Sequence, residues 1–257
     1  MGAAMARLSV LPFLALLIVW EAVARSGLFT AFVLPSASTV LLRIWADGAT
    51  GELFIHLGVT LYRALVGFLI AAALGILLGL IITRVALVRW FFEPIISIGF
   101  PMPKIVFLPI VTLWLGFDDT LKITMVVVDA AFPVVTATIA GVAGVEKELT
   151  WSARSLGANE RQMVREVLFP AALPQIMTGL QVALPVALIV CVVAEMLTGG
   201  KGLGGAMLGA SRVADSPGIF AGIVEIAVAG YVLVQGMSAI RSKVLAWHPE
   251  ALPPATV

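Results

Sequence analysis

Six stretches of about 20 mostly apolar residues run along this chain, each long enough to cross a bilayer as a helix. They cover roughly Leu8 to Ala24, Thr60 to Thr83, Pro94 to Leu115, Leu121 to Val145, Leu173 to Leu197 and Gly218 to Ile240. These windows are apolar on every face, unlike the amphipathic surface helix of a soluble domain. The chain is 61% hydrophobic and only 12% charged, about half the charged share of a soluble protein. The reading is an all-α polytopic membrane protein of about six transmembrane helices, one transmembrane domain over 1–257. The first stretch leaves an alternative open. Arg7, the apolar run and Ala22-Val-Ala24 also fit a cleaved signal peptide, although Trp20 suits an interfacial anchor of a retained helix.

The same composition excludes several functions. A net charge of +1 without a polybasic run implies no nucleic-acid partner. Cys191 is the only cysteine, so no intrachain disulfide forms, and it reads as a small buried hydrophobe. His56 and His248 stand far apart and no metal-ligand spacing is present. Gly200-Lys201 lacks both the upstream glycine and the following Ser or Thr of a phosphate loop. No catalytic residues, cofactor or metal are expected in this chain, and any ATP must be handled by another polypeptide.

Lysine and arginine placement sets the expected sidedness. With the N-terminus inside, the cytoplasmic side receives Arg7, Arg84, Arg89, Lys147, Arg154, Arg161, Arg165, Arg241 and Lys243. The outer side receives Arg25, Arg43, Lys122, Lys201 and Arg212. The bias puts residues 146–172 in the cytoplasm.

Two spans have unusual chemistry. The third carries Pro94, Pro101, Pro103 and Pro109. Pro94 fits a helix start behind Glu93, whereas Pro101 and Pro103 must break or kink the helix. Irregular backbone at that depth requires cover by protein or a water-filled cavity. In the second, Gly67, Ala71, Gly75 and Gly79 recur every four residues and share one face. That face fits tight packing inside one chain, or a contact between two copies.

Between the fourth and fifth spans lies a polar, charged island, Glu148 to Pro174. Residues 146–156 fit a short helix ending at Gly157, where left-handed geometry suits glycine. Asn159 fits an N-cap for residues 160–168, with Gln162 completing a capping box and Pro170 ending the helix. Arg154, Arg161 and Arg165 are balanced by Glu148, Glu160 and Glu166. The balance favours a folded protein partner, the alternative being an amphipathic helix on the membrane surface.

Ala153-Arg-Ser-Leu-Gly-Ala158, followed by Val167-Leu-Phe-Pro-Ala-Ala-Leu-Pro174, resembles the "EAA" loop of binding-protein-dependent ABC-importer permeases. Thr60-Leu-Tyr-Arg-Ala-Leu-Val-Gly-Phe68 and Gly75-Ile-Leu-Leu-Gly79 are similar to the second helix of the nitrate/sulfonate/taurine-type subfamily. Pro103-Lys-Ile-Val-Phe-Leu-Pro-Ile110 through Leu113-Trp-Leu-Gly-Phe117 is similar to its third. Ala194-Glu-Met196 with Lys201-Gly-Leu-Gly204 resembles the end of its fifth. The ordered set spans roughly residues 55–245. It departs from the family where Trp151-Ser152-Ala153 replaces the leading Glu-Ala-Ala.

The resemblance implies a multi-pass permease of the bacterial inner membrane, paired with a second copy. Two ATPase subunits would bind below and carry ATP and Mg. An extracytoplasmic binding protein would deliver the solute, a small organic or inorganic anion such as a sulfonate, taurine or nitrate. Coupling to the ATPase would rest on Trp151, Ser152, Ala153, Arg154, Leu156, Gly157, Ala158, Arg161 and Arg165. Ionisable groups inside apolar spans are functional candidates: Asp129, Lys104 and Glu195 are the candidates for the translocation path. Structural pairs such as Asp129–Lys104 or Glu195–Arg63 are the competing reading. An ion-driven secondary transporter using Asp129 and Glu195 is a second possible function, though it leaves the island unexplained. A membrane-embedded enzyme would need a cluster of His, Asp or Ser that the sequence does not offer.

Overall fold

The computed structural model describes the backbone of residues 2–248 and the side chains of residues 12–248. Arg7 and the beginning of the first expected span therefore lie outside the residues with described side chains. The described residues form helices and turns, with no strand among them. In order these are α1 (Gly2–Arg25), α2 (Ala37–Thr50), α3 (Glu52–Arg84), α4 (Ala86–Gly99), a 3-10 turn (Lys104–Phe107) and α5 (Leu108–Leu115). Then come α6 (Asp119–Ala143), α7 (Lys147–Ser155), the short turn α8 (Glu160–Gln162), a π turn (Met163–Leu168), α9 (Phe169–Thr198), α10 (Leu203–Arg212) and α11 (Ser216–Val244).

Among the described residues four helical runs are long and apolar enough to span a membrane: Glu52–Arg84, Asp119–Ala143, Glu160–Arg212 and Ser216–Val244. A fifth is α4 together with Lys104–Leu115, bent by 96°. The bend falls at Phe100–Pro103, where Pro101 and Pro103 were expected to break the helix. Pro94 differs from expectation: it lies inside α4, which already begins at Ala86. The helix starts that early because Val85 is extended and serves as its N-cap. Pro94 then removes only one backbone bond within an established helix.

The chain divides into two compact units. One comprises residues up to Thr60 plus Glu195–Ala229, and the other Leu61–Ala194 plus the chain from Gly230.

The second unit is built on close helix approach. A β-carbon on Gly67 would lie 2.5 Å from Val126 Cγ1, on Gly75 2.8 Å from Val134 Cβ, and on Gly79 2.6 Å from Thr138 Cβ. The glycine stripe of α3 therefore seats α6, giving the intrachain packing the spacing allowed. Gly141 of α6 approaches the Ala172 carbonyl of α9 in the same way, at 3.0 Å. α6 supplies much of the buried interior, including Leu121, Met125, Val126, Ala130 and Val134.

The first unit contains two helices that hydropathy did not reveal, α2 and α10. Ser36 caps α2, its hydroxyl accepting the Thr39 N–H at 3.3 Å, and Gly51 closes it with φ +84. Arg43 of α2 donates to Asp47 at 2.9 Å and to Asp215, before α11, at 2.5 Å. Burial lowers the pKa of Arg43, but its bonds to Asp47 and Asp215 outweigh that and hold it above the ordinary arginine value. Glu21 of α1 accepts the Ser38 N–H and hydroxyl at 3.0 and 2.8 Å, fastening α1 to the start of α2.

Candidate functional site

The island folds as a helix, a tight turn and a second helical run. α7 ends in a Schellman pattern: Ala158 N–H donates to the Ala153 carbonyl at 3.0 Å and Gly157 N–H to the Arg154 carbonyl at 2.9 Å. Gly157 has φ +83, a left-handed geometry that glycine adopts without a steric cost. The Asn159 side chain then accepts the Gln162 N–H at 2.9 Å, and the Gln162 side chain accepts the Asn159 N–H at 3.0 Å. The expected capping box is thus present.

Pro170 does not end the helix as expected. It lies in the first turn of α9, directly behind the π turn Met163–Leu168. A π turn bonds five residues back and is wider than an α turn. The carbonyl four residues back is then not aimed at the proline ring, and the helix runs on to Thr198.

One side of the island is held down and the other is free. Val142, Met163, Leu168, Ala172 and Ile176 form a buried apolar cluster, with Ala153, Val145 and Leu80 packed against it. Arg84, at the end of α3, forms an ion pair with Glu160. Away from that cluster, Trp151 is 59% exposed and Leu156 86% exposed. Ser152, Arg154, Gly157, Arg161 and Arg165 are also exposed, whereas Ala158 and Ala153 are half-buried. The nine coupling candidates therefore gather on one local structure, with Ala153 on its inner side.

A cavity of about 590 Å³ opens in the same unit, where Leu168 meets the ends of α3 and α6 and one face of α4. Arg84, Arg89, Glu93, Ser97 and Thr136 give it a mixed polar lining. Arg89 donates to the Ile82 and Thr83 carbonyls at 3.3 and 3.1 Å.

Of the three path candidates, Lys104 and Asp129 belong to the second unit and Glu195 to the first. Lys104 Nζ lies 3.0 Å from Asp129 Oδ1 and 4.4 Å from the centroid of the Phe132 ring, so that expected pair forms. Glu195 belongs to the other unit and is fully buried. Its Oε2 accepts the Thr60 hydroxyl at 2.8 Å and the Gly204 N–H at 3.1 Å. Thr60 Oγ1 accepts the Leu203 N–H at 2.8 Å, and His56 Nδ1 accepts the Gly202 N–H at 3.1 Å. These groups fasten the glycine-rich turn before α10. Within the second unit, Arg63 pairs with Asp119 at 2.5 Å. Lys122, which the sequence reading placed among the outer-side basic residues and not among the buried charges, is buried, with its Nζ donating to the Phe117 carbonyl at 2.7 Å. Its position one turn inside α6 was the only hint.

Comparison with known proteins gives this geometry a context. The chain is 32% identical over 230 residues to a Bacillus subtilis protein named for aliphatic sulfonates transport, the permease SsuC, covering 90% of this chain and 83% of that one. It is 32% identical over 248 residues to the taurine transport system permease protein TauC of Escherichia coli, covering 95% of this chain and 90% of TauC. The fold is similar to that of the MetNI methionine ABC transporter solved in inward-facing conformations, with a TM-score of 0.60 at 21% identity. That match covers 80% of this chain and 96% of the solved one, and it speaks for the fold alone. Residues 71–244 match the family of binding-protein-dependent transport system inner membrane components, and the chain belongs to that family.

Proposed function

We propose that this permease subunit forms the translocation path for a small anion and couples its passage to ATP hydrolysis on a separate subunit through residues 148–170. The observation that carries the coupling is the two-sided island. Ala153 and the cluster around Met163 tie its inner side to the helices, while Trp151, Leu156 and Arg154 stand open. A surface of that form transmits a partner's movement to the helices it is packed on. The partner must interact differently with the two states of the permease for anything to be transmitted.

Two copies of this chain with two ATPase subunits make the working unit, and α1 supplies the sixth span. The two compact units act as one permease domain, with the island on the cytoplasmic side. An extracytoplasmic binding protein delivers the solute, and ATP with Mg resides on the ATPase. The similarity to SsuC and TauC supports an aliphatic sulfonate, taurine among them, as the solute. Lys104, Asp129 and Glu195 are the path candidates, and Glu195 also holds the turn before α10.

The test is uptake of labelled taurine and of an alkanesulfonate by cells carrying the permease, its ATPase and its binding protein. Gly157→Asp places a side chain at φ +83 and a charge in the turn, so it should abolish uptake while the protein stays in the membrane. Uptake should persist when the proton gradient is collapsed and ATP is maintained. Normal uptake by Gly157→Asp would remove the coupling role, and immediate loss with the gradient would favour an ion-driven transporter.

A further inference from the structure

α4 is apolar except along one stripe. Its only charged or hydroxyl-bearing side chains, Arg89, Glu93 and Ser97, recur every four residues, the spacing that stacks side chains on one helix face. All three line the cavity of about 590 Å³ between α4 and the ends of α3 and α6, with Thr136 of α6 beside them. α4 is the first half of the bent span, where an ionisable side chain is costly unless something compensates it.

Neither charge is compensated among the described residues. Arg89 is turned back to the end of α3, where its Nε and Nη2 donate to the Ile82 and Thr83 carbonyls at 3.3 and 3.1 Å. Those bonds fix the guanidinium and leave its charge without a carboxylate among the described residues. Glu93, one turn along, forms no ion pair or hydrogen bond among the described residues. The remaining charge on the cavity wall, Arg84, forms its ion pair with Glu160. The cavity thus presents one fixed cation and one anion whose β-carbons stand about 5–6 Å apart. The Thr136 hydroxyl donates to the Phe132 and Pro133 carbonyls, so its oxygen is left to accept. An anion alone would satisfy Arg89 and be repelled by Glu93, and a cation alone would meet the reverse. A small zwitterion satisfies both.

We infer that this cavity binds a 2-aminoethyl oxyanion, a sulfonate or phosphate joined through two carbons to an ammonium. Its oxygens accept from the remaining N–H groups of Arg89. Its ammonium donates to the Glu93 carboxylate and to the hydroxyl oxygen of Ser97 or Thr136. Two carbons put the charges a few ångströms apart, which fits the single-turn step from Arg89 to Glu93. Two sources carry this group: free taurine, and the headgroup of phosphatidylethanolamine. For the lipid, Ile96 and Ile139 offer an apolar wall to the stem behind the head. The inference goes beyond the coupling reading and does not depend on it.

The experiment uses the permease with its ATPase in nanodiscs, without ATP or binding protein, so binding is read apart from transport. In phosphatidylglycerol nanodiscs, labelled taurine is measured by equilibrium dialysis, with propanesulfonate as the analogue lacking the ammonium. In mixed nanodiscs of phosphatidylglycerol and phosphatidylethanolamine, the lipids kept by the ejected complex are counted by native mass spectrometry. Glu93→Gln removes the carboxylate charge and no bond among the described residues. It should leave the melting temperature unaltered and weaken the 2-aminoethyl ligand roughly tenfold or more. Arg89→Gln should weaken it as well. Loss of bound taurine assigns the site to the free solute, and loss of enriched phosphatidylethanolamine assigns it to the lipid; either result supports the inference. It is overturned if the unaltered complex holds neither ligand, or if Glu93→Gln leaves both as they were. Equal binding of propanesulfonate and phosphatidylglycerol, which lack the ammonium, would overturn it too, whether or not cells still take up taurine.

Discussion

Lys104 and Asp129 form an ion pair of 3.0 Å between a turn at a helix break and the middle of α6, with the lysine the more deeply buried partner. Removing one partner of a buried pair leaves the other charge without compensation, which costs about 3–5 kcal/mol. Asp129→Leu alone should therefore lower thermal stability sharply in detergent or nanodiscs. The double variant Asp129→Leu with Lys104→Met should regain most of it, because replacing the whole pair is often neutral. Uptake separates the two roles. If the pair only holds the break between α4 and α5, the double variant transports; if either group meets the solute, stability returns and transport does not.

The carboxylate of Glu195 occupies the space where a β-carbon on Gly202 would stand, and Gly202 has φ +123. Any side chain there meets both the buried Glu195 carboxyl group and an unfavourable backbone, the latter costing about 1–3 kcal/mol. Gly202→Ala should reduce the yield and melting temperature of the permease. Faster hydrogen exchange should be confined to residues 199–205. Gly200→Ala, with φ +91 and open space around it, should be milder. Equal effects of the two would show that the carboxylate contact is unimportant.

The approach of α3 to α6 can be tested by exchanging volume across it. Gly75→Ala puts a methyl group 2.8 Å from Val134 Cβ, and overpacking of this kind costs about 1–3 kcal/mol. Adding Val134→Ala should recover part of the loss. Light scattering should find the oligomeric state of Gly75→Ala unaltered, since the stripe is filled by α6. A change in subunit number without a change in stability would contradict this packing.

Asn159→Ala removes one half of the capping box between α7 and the π turn. The expected cost is about 1 kcal/mol, concentrated in the island. Protease cleavage between Ser155 and Gln162 should accelerate while the melting temperature of the spans changes little. Gln162→Ala should act in the same direction and more weakly.

Five of the expected spans, four as helical runs and one as the bent pair among the described residues, were legible from the sequence because each meets a length and polarity requirement by itself. A run such as Thr60 to Thr83 needs no partner to be identified as membrane-crossing. The turn at Gly157 and the capping box at Asn159 and Gln162 were legible for the same reason, since every bond they use lies within a few residues. The glycine spacing of α3 located a close approach but not its partner, which α6 supplied through Val126, Val134 and Thr138. Pro94 and Pro170 were misplaced as helix boundaries. A proline excludes one backbone bond, and whether the helix ends there depends on whether the neighbouring turn can widen or had already formed. α2 and α10 escaped because they are short and neither is apolar enough to stand out.

Sequence alone determined that this chain crosses a membrane as helices and carries a patterned polar segment between α6 and α9. Both conclusions follow from local energies, the burial of apolar residues and the satisfaction of backbone groups. Tertiary structure decided which polar and charged groups are paired and with what. Lys104 finds Asp129 across 25 positions, Glu195 finds Thr60 across 135, and Arg43 finds Asp215 across 172. A buried or half-buried polar group is stable only beside a hydrogen-bonding or ionic partner, and only folding brings residues that distant within hydrogen-bond reach.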